Sequence, residues 1–122
     1  MIEKKIRINR EKIPHILRKG HTHQSELFTL KYFVTNEKIS KYRTIVSKKI
    51  ARKAVDRNKI RRRILESIRL NHQKLADLKK GFEIVFIPKK SITEASFLQI
   101  CEDIAKIMEN NKFLNTTNEK PQ

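Results

Sequence analysis

Residues 48–69 constrain the fold more than any other part of the chain. They include ten Lys or Arg and only two acidic residues, and they hold Ile60, Ile64 and Ile68 at four-residue spacing. This period is typical of an amphipathic α-helix with one buried side. The pattern therefore predicts a long helix at about 54–78 with a basic exposed side. Its apolar side should comprise Ala54, Ile60, Ile64, Leu65, Ile68 and Leu75, and its exposed side Lys59, Arg62, Arg63, Glu66 and Arg69.

The charge of the whole chain indicates a polyanionic partner. Its 122 residues contain 29 Lys and Arg against 13 Asp and Glu, a formal net charge of +16. Phosphate backbones suit such a surface because each neutralised phosphate releases condensed counterions. An anionic lipid surface is the alternative, and it is disfavoured because the apolar side of the basic helix has no aromatic anchor. No apolar run approaches the length of a membrane span, and the charged N-terminus does not resemble a secretory signal, so we expect a cytoplasmic protein.

The first third of the chain predicts a short helix followed by strands. Ile13, Ile16 and Leu17 have helical spacing, with Gly20 placed as the terminator. The segments 27–34 and 44–47 are rich in β-branched and aromatic residues, which favours two strands joined by a loop at 35–41. A third strand is expected at about 21–25.

The last third predicts one more strand and one more helix. Gly81 is expected to end the basic helix, and residues 83–87 read as a strand that Pro88 stops. The final helix is expected to be capped by Ser91 or Thr93. Its buried side should comprise Phe97, Ile100, Cys101, Ile104, Ile107 and Met108. This order of elements indicates an α+β class, with one mixed sheet and helices packed on it.

Two stretches carry a family resemblance. Residues 46–50 (VSKKI) and 53–62 (KAVDRNKIRR) resemble the signature of the bacterial ribonuclease P protein component, in which Ser-Lys-Lys precedes Lys-x-Ala-Val-x-Arg-Asn-Arg-x-Lys-Arg. The resemblance implies a single domain at 1–114 with the order α-β-β-β-α-β-α. The polar residues 115–122 are expected to form a disordered tail. It also implies that the long basic helix forms a left-handed βαβ crossover.

The same resemblance implies a function. A protein subunit of this family binds the catalytic RNA subunit of ribonuclease P and the 5′ leader of precursor tRNA, and so assists endonucleolytic removal of the leader. The chemistry and its Mg²⁺ ions are then expected on the RNA, and no cofactor, metal site or catalytic residue is expected on the protein. The residues implied to bind RNA are Lys48, Lys49, Arg52, Lys53, Arg57, Asn58, Lys59, Arg61, Arg62 and Arg63. From the residues alone, Arg57 and Arg61 could instead brace the helix on the sheet.

A leader-binding cleft is also implied, and here the chain departs from the family pattern. The cleft residues are expected to be Ile13, Leu17, Phe28, Lys31 and Tyr32. Family members carry aromatic residues at the positions of Ile13, Leu17 and Lys31, so ring stacking on the leader should be weaker here. The chain also has Lys59 in place of the second Arg of Arg-Asn-Arg, and Leu65 where an Arg usually precedes the Glu.

Two other function classes fit the composition. A structural RNA-binding protein, such as a ribosomal protein or RNA chaperone, would carry a similar charge without a processing role. A self-sufficient nuclease would need a histidine base, and no spacing supplies a partner acid for one. The pair His21 and His23 lacks the further ligands of a closed metal site, and Cys101 falls on an apolar helix side. Asp56 is expected to relieve charge at the helix start or to cap it.

Overall fold

One four-stranded mixed sheet organises the molecule. The structure is a computed structural model that describes residues 6–35, 37, 39–75 and 81–109. The strands are β1 (His21–Gln24), β2 (Phe28–Thr35), β3 (Lys41–Thr44) and β4 (Gly81–Pro88), in the spatial order β1-β2-β4-β3. The β1–β2 and β2–β4 pairs are antiparallel, and β3 pairs with β4 in parallel.

Three α-helices accompany the sheet in the part of the chain that the structure describes. They are α1 (Ile13–Lys19), α2 (Ala54–Asn71) and α3 (Phe97–Glu109), with 3-10 turns at Arg10–Lys12, His72–Leu75 and Lys90–Glu94. The α+β class and the predicted order of elements are confirmed. Helix α2 connects the parallel strands β3 and β4, and the left-handed sense of this crossover stays a prediction. No helix in the described part of the chain is long and apolar enough to cross a membrane. The predicted tail at 115–122 lies outside the described residues.

The two faces of the sheet carry different layers. Side chains alternate along a strand, so Phe28, Leu30 and Tyr32 of β2 point to one face and their neighbours to the other. The first face forms the main core with α2 and α3, including the fully buried Ile64 and Ile68 of α2. The opposite face carries a smaller cluster with α1, built around Ile8, Ile16 and Val85.

The predicted bounds of the strands need correction. The strand expected at 44–47 lies three residues earlier, because Lys41–Thr44 are the residues that pair with β4. The strand expected at 83–87 extends from Gly81 to Pro88, since β2 offers it eight paired positions. Gly81 therefore begins a strand and does not end the helix. A Cβ at Gly81 would lie 2.6 Å from the carbonyl oxygens of both Glu37 and Ile39, so no larger residue fits without a backbone shift.

Helix α2 follows the predicted phase with differences at its two ends. Ala54 is exposed and Ile60 is half-buried, because the first turns extend beyond the core that buries Ile64 and Ile68. The α-helix ends at Asn71 and continues as a 3-10 turn to residue 75. The predicted end at 78 lies outside the described residues, as does the side chain of Leu75.

The start of α3 also differs from the prediction. The Ser96 hydroxyl accepts a hydrogen bond from the Gln99 amide at 3.1 Å, and the Gln99 side chain accepts one from the Ser96 amide at 2.8 Å. This reciprocal pair is a capping box, so Ser96 replaces the predicted caps Ser91 and Thr93, which lie in the preceding 3-10 turn. Phe97 is exposed in the first turn, contrary to the prediction. Cys101 is half-buried and lies 3.0 Å from the Ser67 hydroxyl.

Truncating the apolar side of α2 should cost stability. Ile64→Ala should lower the free energy of unfolding by about 2 to 5 kcal/mol, because it opens a cavity in the main core. Val55→Ala is the matched control in the same helix, since Val55 is 62% exposed. Urea melts of both variants measure the difference. Equal urea midpoints for the two variants would contradict the buried position of Ile64 and the exposed position of Val55 on α2.

Candidate RNA interface

A short turn between β3 and α2 presents the first group of cations. The amides of Ile50 and Ala51 donate to the Ser47 carbonyl at 3.1 and 3.4 Å, which closes the chain into a turn. Buried Val46 and half-buried Ile50 hold it against the core. We call residues 47–53 the basic turn, and its exposed cations are Lys48, Lys49, Arg52 and Lys53.

The exposed side of α2 presents the second group. Lys59, Arg62 and Arg63 are exposed, and we call these three residues the basic side of α2. Among the described residues, the ion pair on this helix is Arg69–Glu66, so no carboxylate neutralises the basic side. Like charges three or four residues apart repel, and an anionic ligand offsets this cost. Asp56 lies in the first turn of α2, where the helix dipole favours a negative charge. The N-cap residue is Lys53, so Asp56 does not cap the helix.

Arg57 has a different role from its neighbours. It is half-buried, and its Nη1 donates to the carbonyl oxygens of Ala51 and Arg52 at 3.0 and 2.6 Å. Lys90 Nζ donates to the Lys49 carbonyl at 3.0 Å. Both contacts fix the backbone of the basic turn. The contacts of Arg57 brace the turn and do not brace the helix on the sheet, and the RNA-binding role of Arg57 stays a prediction.

Arg61 faces a groove that the sequence did not reveal. The groove has a volume of about 670 Å³ and lies between the N-terminal segment, α1, β3 and α2. Four arginines line it, and we call it the arginine groove: Arg7, Arg10, Arg43 and Arg61. Only Arg61 was among the predicted RNA-binding residues. Alternation of side chains along β3 could have predicted the position of Arg43. Tyr42 and Thr44 point to the main core, so Arg43 between them points away from it.

The four guanidinium groups have few protein partners. Arg43 Nη1 donates to the Ile8 carbonyl at 3.1 Å, and Arg61 Nη1 donates to Asn58 Oδ1. The ion pairs of the described residues involve none of the four. Partial burial, followed by the positive charges of the other three arginines, lowers the pKa of Arg43 below its ordinary value. The groove is therefore a concentration of uncompensated positive charge.

The predicted leader cleft is only partly assembled. Ile13 and Leu17 of α1 share the α1 face of the sheet with Lys31. Phe28 and Tyr32 lie on the opposite face, where they are 0% and 3% exposed, so their assignment to the cleft is wrong. The reason is the two-residue period of β2, which puts Lys31 and its neighbour Tyr32 on different faces.

The α1 face does carry one aromatic pair that the sequence analysis missed. Phe33 packs beside α1, and its ring stacks on His15 with centroids 5.2 Å apart and planes 23° apart. Alternation from Lys31 to Phe33 was the signal that could have found it.

The remaining histidines are dispersed over the fold. His21 and His23 lie on β1, and His72 follows α2. The His21 ring packs against Tyr32, with centroids 5.4 Å apart. Partial burial lowers the pKa of His23, and the Asp103 carboxylate opposes this shift. Within the described ranges, no group of three His, Cys, Asp or Glu is placed to hold a metal ion.

The chain is similar to one family by sequence and by structure. The family model described as Ribonuclease P matches residues 2–112. A ribonuclease P protein component of Clostridium botulinum (strain 657 / Type Ba4) is 38% identical over 100 residues, which cover 82% of this chain and 86% of that protein. The RNase P protein from Thermotoga maritima superposes with a TM-score of 0.73 at 28% identity, covering 85% of this chain and 96% of that one. An RNase P protein of Staphylococcus aureus gives 0.69 at 26% identity, covering 88% and 95%.

The fold and the exposed cations define the class first. A mixed sheet with helices packed on it is an α+β protein, and the basic turn and the basic side of α2 suit a polyanionic ligand. The matched residues then identify the family, because they span nearly the whole chain. The chain belongs to the ribonuclease P protein component family.

Removing Arg57 should loosen the basic turn. Arg57→Ala deletes the donor to the Ala51 and Arg52 carbonyls, so trypsin should cleave faster after Lys48, Lys49 and Arg52. Arg63→Ala is the control, because it removes an equal charge from the exposed side of the same helix. Mass spectrometry of the first cleavage products measures the rates. Identical cleavage of both variants and the unmodified protein would contradict the bracing role.

Proposed function

We propose that the chain is the protein subunit of a ribonuclease P, and that it assists a catalytic RNA in removing the 5′ leader from precursor tRNA. The observation that carries this proposal is the juxtaposition of the basic turn and the basic side of α2 on the scaffold of this family. Seven exposed cations lie there, and no ion pair of the described residues involves them. RNA phosphates supply the missing counter-charge.

The catalytic RNA subunit is the proposed partner of this surface. Exposed Lys48, Lys49, Arg52 and Lys53 would neutralise phosphates from the turn, and Lys59, Arg62 and Arg63 from the helix. Asn58 is exposed beside them and adds an uncharged polar group. A rigid helix presents its cations at a fixed rise, and Arg in particular matches phosphate geometry with two parallel hydrogen bonds.

The precursor tRNA leader is the proposed ligand of the α1 face. Ile13 and Leu17 give this face apolar contact surface, and Lys31 gives it a cation. Phe33 adds a ring edge beside α1, although its stacking partner in the structure is His15. Phe28 and Tyr32 are no longer part of this proposal because the core buries them.

The chemical step is proposed to belong to the RNA subunit and its Mg²⁺ ions, which would activate water and stabilise the leaving oxygen. The protein would reduce repulsion between phosphates where the two RNAs meet. The dispersion of the histidines over α1, β1 and the turn after α2 supports this division, since general acid–base catalysis requires groups that converge on one reacting atom.

Single cations of this surface should each contribute to the salt dependence of binding. Arg62→Ala or Lys53→Ala should weaken binding of the RNA subunit and reduce the slope of log K against log salt by about one unit. Lys106→Ala is the control, because Lys106 is an exposed cation of α3 outside the proposed surface. Filter-binding titrations at several salt concentrations measure the slopes. An unchanged slope for Arg62→Ala, or an equal loss for Lys106→Ala, would refute the proposed surface.

The protein alone should not cleave precursor tRNA. When added to a ribonuclease P RNA, it should lower the Mg²⁺ concentration needed for cleavage at the mature 5′ end, because it supplies positive charge that Mg²⁺ otherwise provides. Gel assays with and without the RNA subunit measure both results. Cleavage by rigorously RNA-free protein would show that the catalytic groups lie on the protein. Failure to activate the RNA at any Mg²⁺ concentration would favour a structural RNA-binding protein.

A further inference from the structure

The outer edge of β3 is only half covered. In the spatial order β1-β2-β4-β3 this strand is the last, so one of its edges has no neighbouring strand within the described ranges. Arg7 forms a parallel bridge with Tyr42 at this edge, and the Ile8 amide donates to the Tyr42 carbonyl at 3.1 Å. The chain then turns away, because the Asn9 side chain caps a 3-10 turn by accepting from the Glu11 amide at 3.1 Å. The edge beyond Tyr42 is therefore open.

The open part of the edge presents the backbone of Thr44. Alternate residues of β3 turn their N–H and C=O groups towards β4, and Ile45 is one of them, because its amide donates to the Phe86 carbonyl at 3.1 Å. The amide and carbonyl of Thr44 therefore point away from β4. Thr44 is only 7% exposed, and over the described part of the chain no other group pairs with this amide or carbonyl. Buried backbone groups almost always have partners, so the edge has room for a ligand that supplies both an acceptor and a donor.

The open edge lies in the arginine groove, where Thr44 is one of the lining residues. Helices α1 and α2 pack on opposite faces of the sheet, so Ile13 and Pro14 flank the edge on one side and Arg61 and Leu65 on the other. An extended chain beside β3 would turn alternate side chains to these two sides. Carboxylates on such a chain would meet the guanidinium groups of the groove, which no ion pair of the described residues neutralises.

The backbone groups at this edge favour a peptide over a nucleic acid. A peptide strand offers N–H donors and C=O acceptors at regular spacing, so it can pair with both groups of Thr44. A phosphate backbone offers acceptor oxygens only and would leave the Thr44 carbonyl unpaired. The groove also gives a base no surface for stacking, since its one aromatic lining residue among those described, Tyr42, is 1% exposed.

We propose that the open edge of β3 binds an extended, acidic segment of another protein by strand addition. The segment continues the edge pairing that Ile8 begins at Tyr42, and its backbone pairs with the amide and carbonyl of Thr44. Its carboxylates lie against the arginines of the groove, and its apolar side chains lie against the aliphatic walls. Backbone pairing supplies affinity, and the charge of the groove selects acidic side chains. The occupant is a protein, so this inference goes beyond the proposed function and does not rest on it.

The test uses the full chain and three labelled probes in fluorescence anisotropy. The first probe is a capped peptide of about six residues, the usual length of a strand, in which glutamate and valine alternate. The second is the same peptide with every amide N-methylated, which keeps the charges and removes the donors. The third is an oligouridylate with the same number of negative charges. Hydrogen exchange of the Thr44 amide, followed by NMR with each unlabelled probe, measures pairing at the edge directly.

Two pairs of variants separate the backbone contribution from the charge. Thr44→Pro removes the outward amide, which an edge strand tolerates, and Thr44→Val is its control because it keeps the amide and loses only the hydroxyl. Arg10→Gln removes one charge that lines the groove, and Lys19→Gln removes an exposed charge outside it. Circular dichroism melts establish that each variant is folded. If Thr44→Pro does not fold, the N-methylated peptide and the exchange of the Thr44 amide decide the question in the unmodified protein.

We expect the unmodified peptide to bind and to slow exchange of the Thr44 amide. N-methylation should weaken binding by about tenfold or more, and Thr44→Pro should weaken it by about fivefold relative to Thr44→Val, the effect of one net hydrogen bond. Arg10→Gln should weaken binding more than Lys19→Gln does, and by less at high salt.

Three results would overturn the proposal. Equal binding of the N-methylated peptide would show that the contact is charge alone. Unchanged exchange of the Thr44 amide with the bound peptide would place the peptide elsewhere. An oligouridylate that slows exchange of the Thr44 amide as much as the peptide would assign the open edge to nucleic acid.

Discussion

Strand β4 is the constraint on which the rest of the structure depends. It pairs with β2 on one side and β3 on the other, and its residues from Gly81 to Phe86 are all buried. Phe82, Ile84 and Phe86 build the main core with α2 and α3, and Val85 builds the smaller cluster under α1. Because β3 runs parallel to β4, the chain needs a long crossover between them, and that crossover is the basic turn followed by α2. The position of the cations therefore follows from how one buried strand is paired.

The sequence predicted which helices and strands form better than it predicted the residues at which they begin and end. The predicted buried side of α2 was correct at Ile64 and Ile68. Apolar residues that recur every four positions along a long segment indicate one buried side of an α-helix. The first and last residues of each element depend on strand pairing and capping contacts, which the pattern along the sequence does not show. Strand β3 ends where its register with β4 ends at Thr44, although Ile45 and Val46 have the composition of a strand. Likewise, Ser96 was missed as the α3 cap because Ser91 and Thr93 offered the same chemistry a few residues earlier.

In the candidate site, too, the features that depend on local structure were predicted from the sequence, and those that depend on tertiary structure were not. Exposure of Lys48, Lys49, Arg62 and Arg63 agrees with the motif, because charges on a solvated helix side and turn depend on local structure alone. The arginine groove depends on tertiary structure, since it joins residues of the N-terminal segment, β3 and α2 that are far apart in sequence. Arg57 illustrates the limit of a motif, because its position within the basic run did not show that its guanidinium would be used on the backbone of the preceding turn.

The central claim is that two RNA partners bind two different surfaces of one small protein. Directed hydroxyl-radical cleavage tests it most directly, with an iron chelate tethered to a single introduced cysteine in a Cys101→Ser background. Val55→Cys places the probe on an exposed residue beside the basic turn, and Glu11→Cys places it on an exposed residue directly before α1. In a complex with ribonuclease P RNA and precursor tRNA, the account predicts that the first probe cuts the RNA subunit and the second cuts the leader. Cleavage of the same RNA segment from both positions would contradict it.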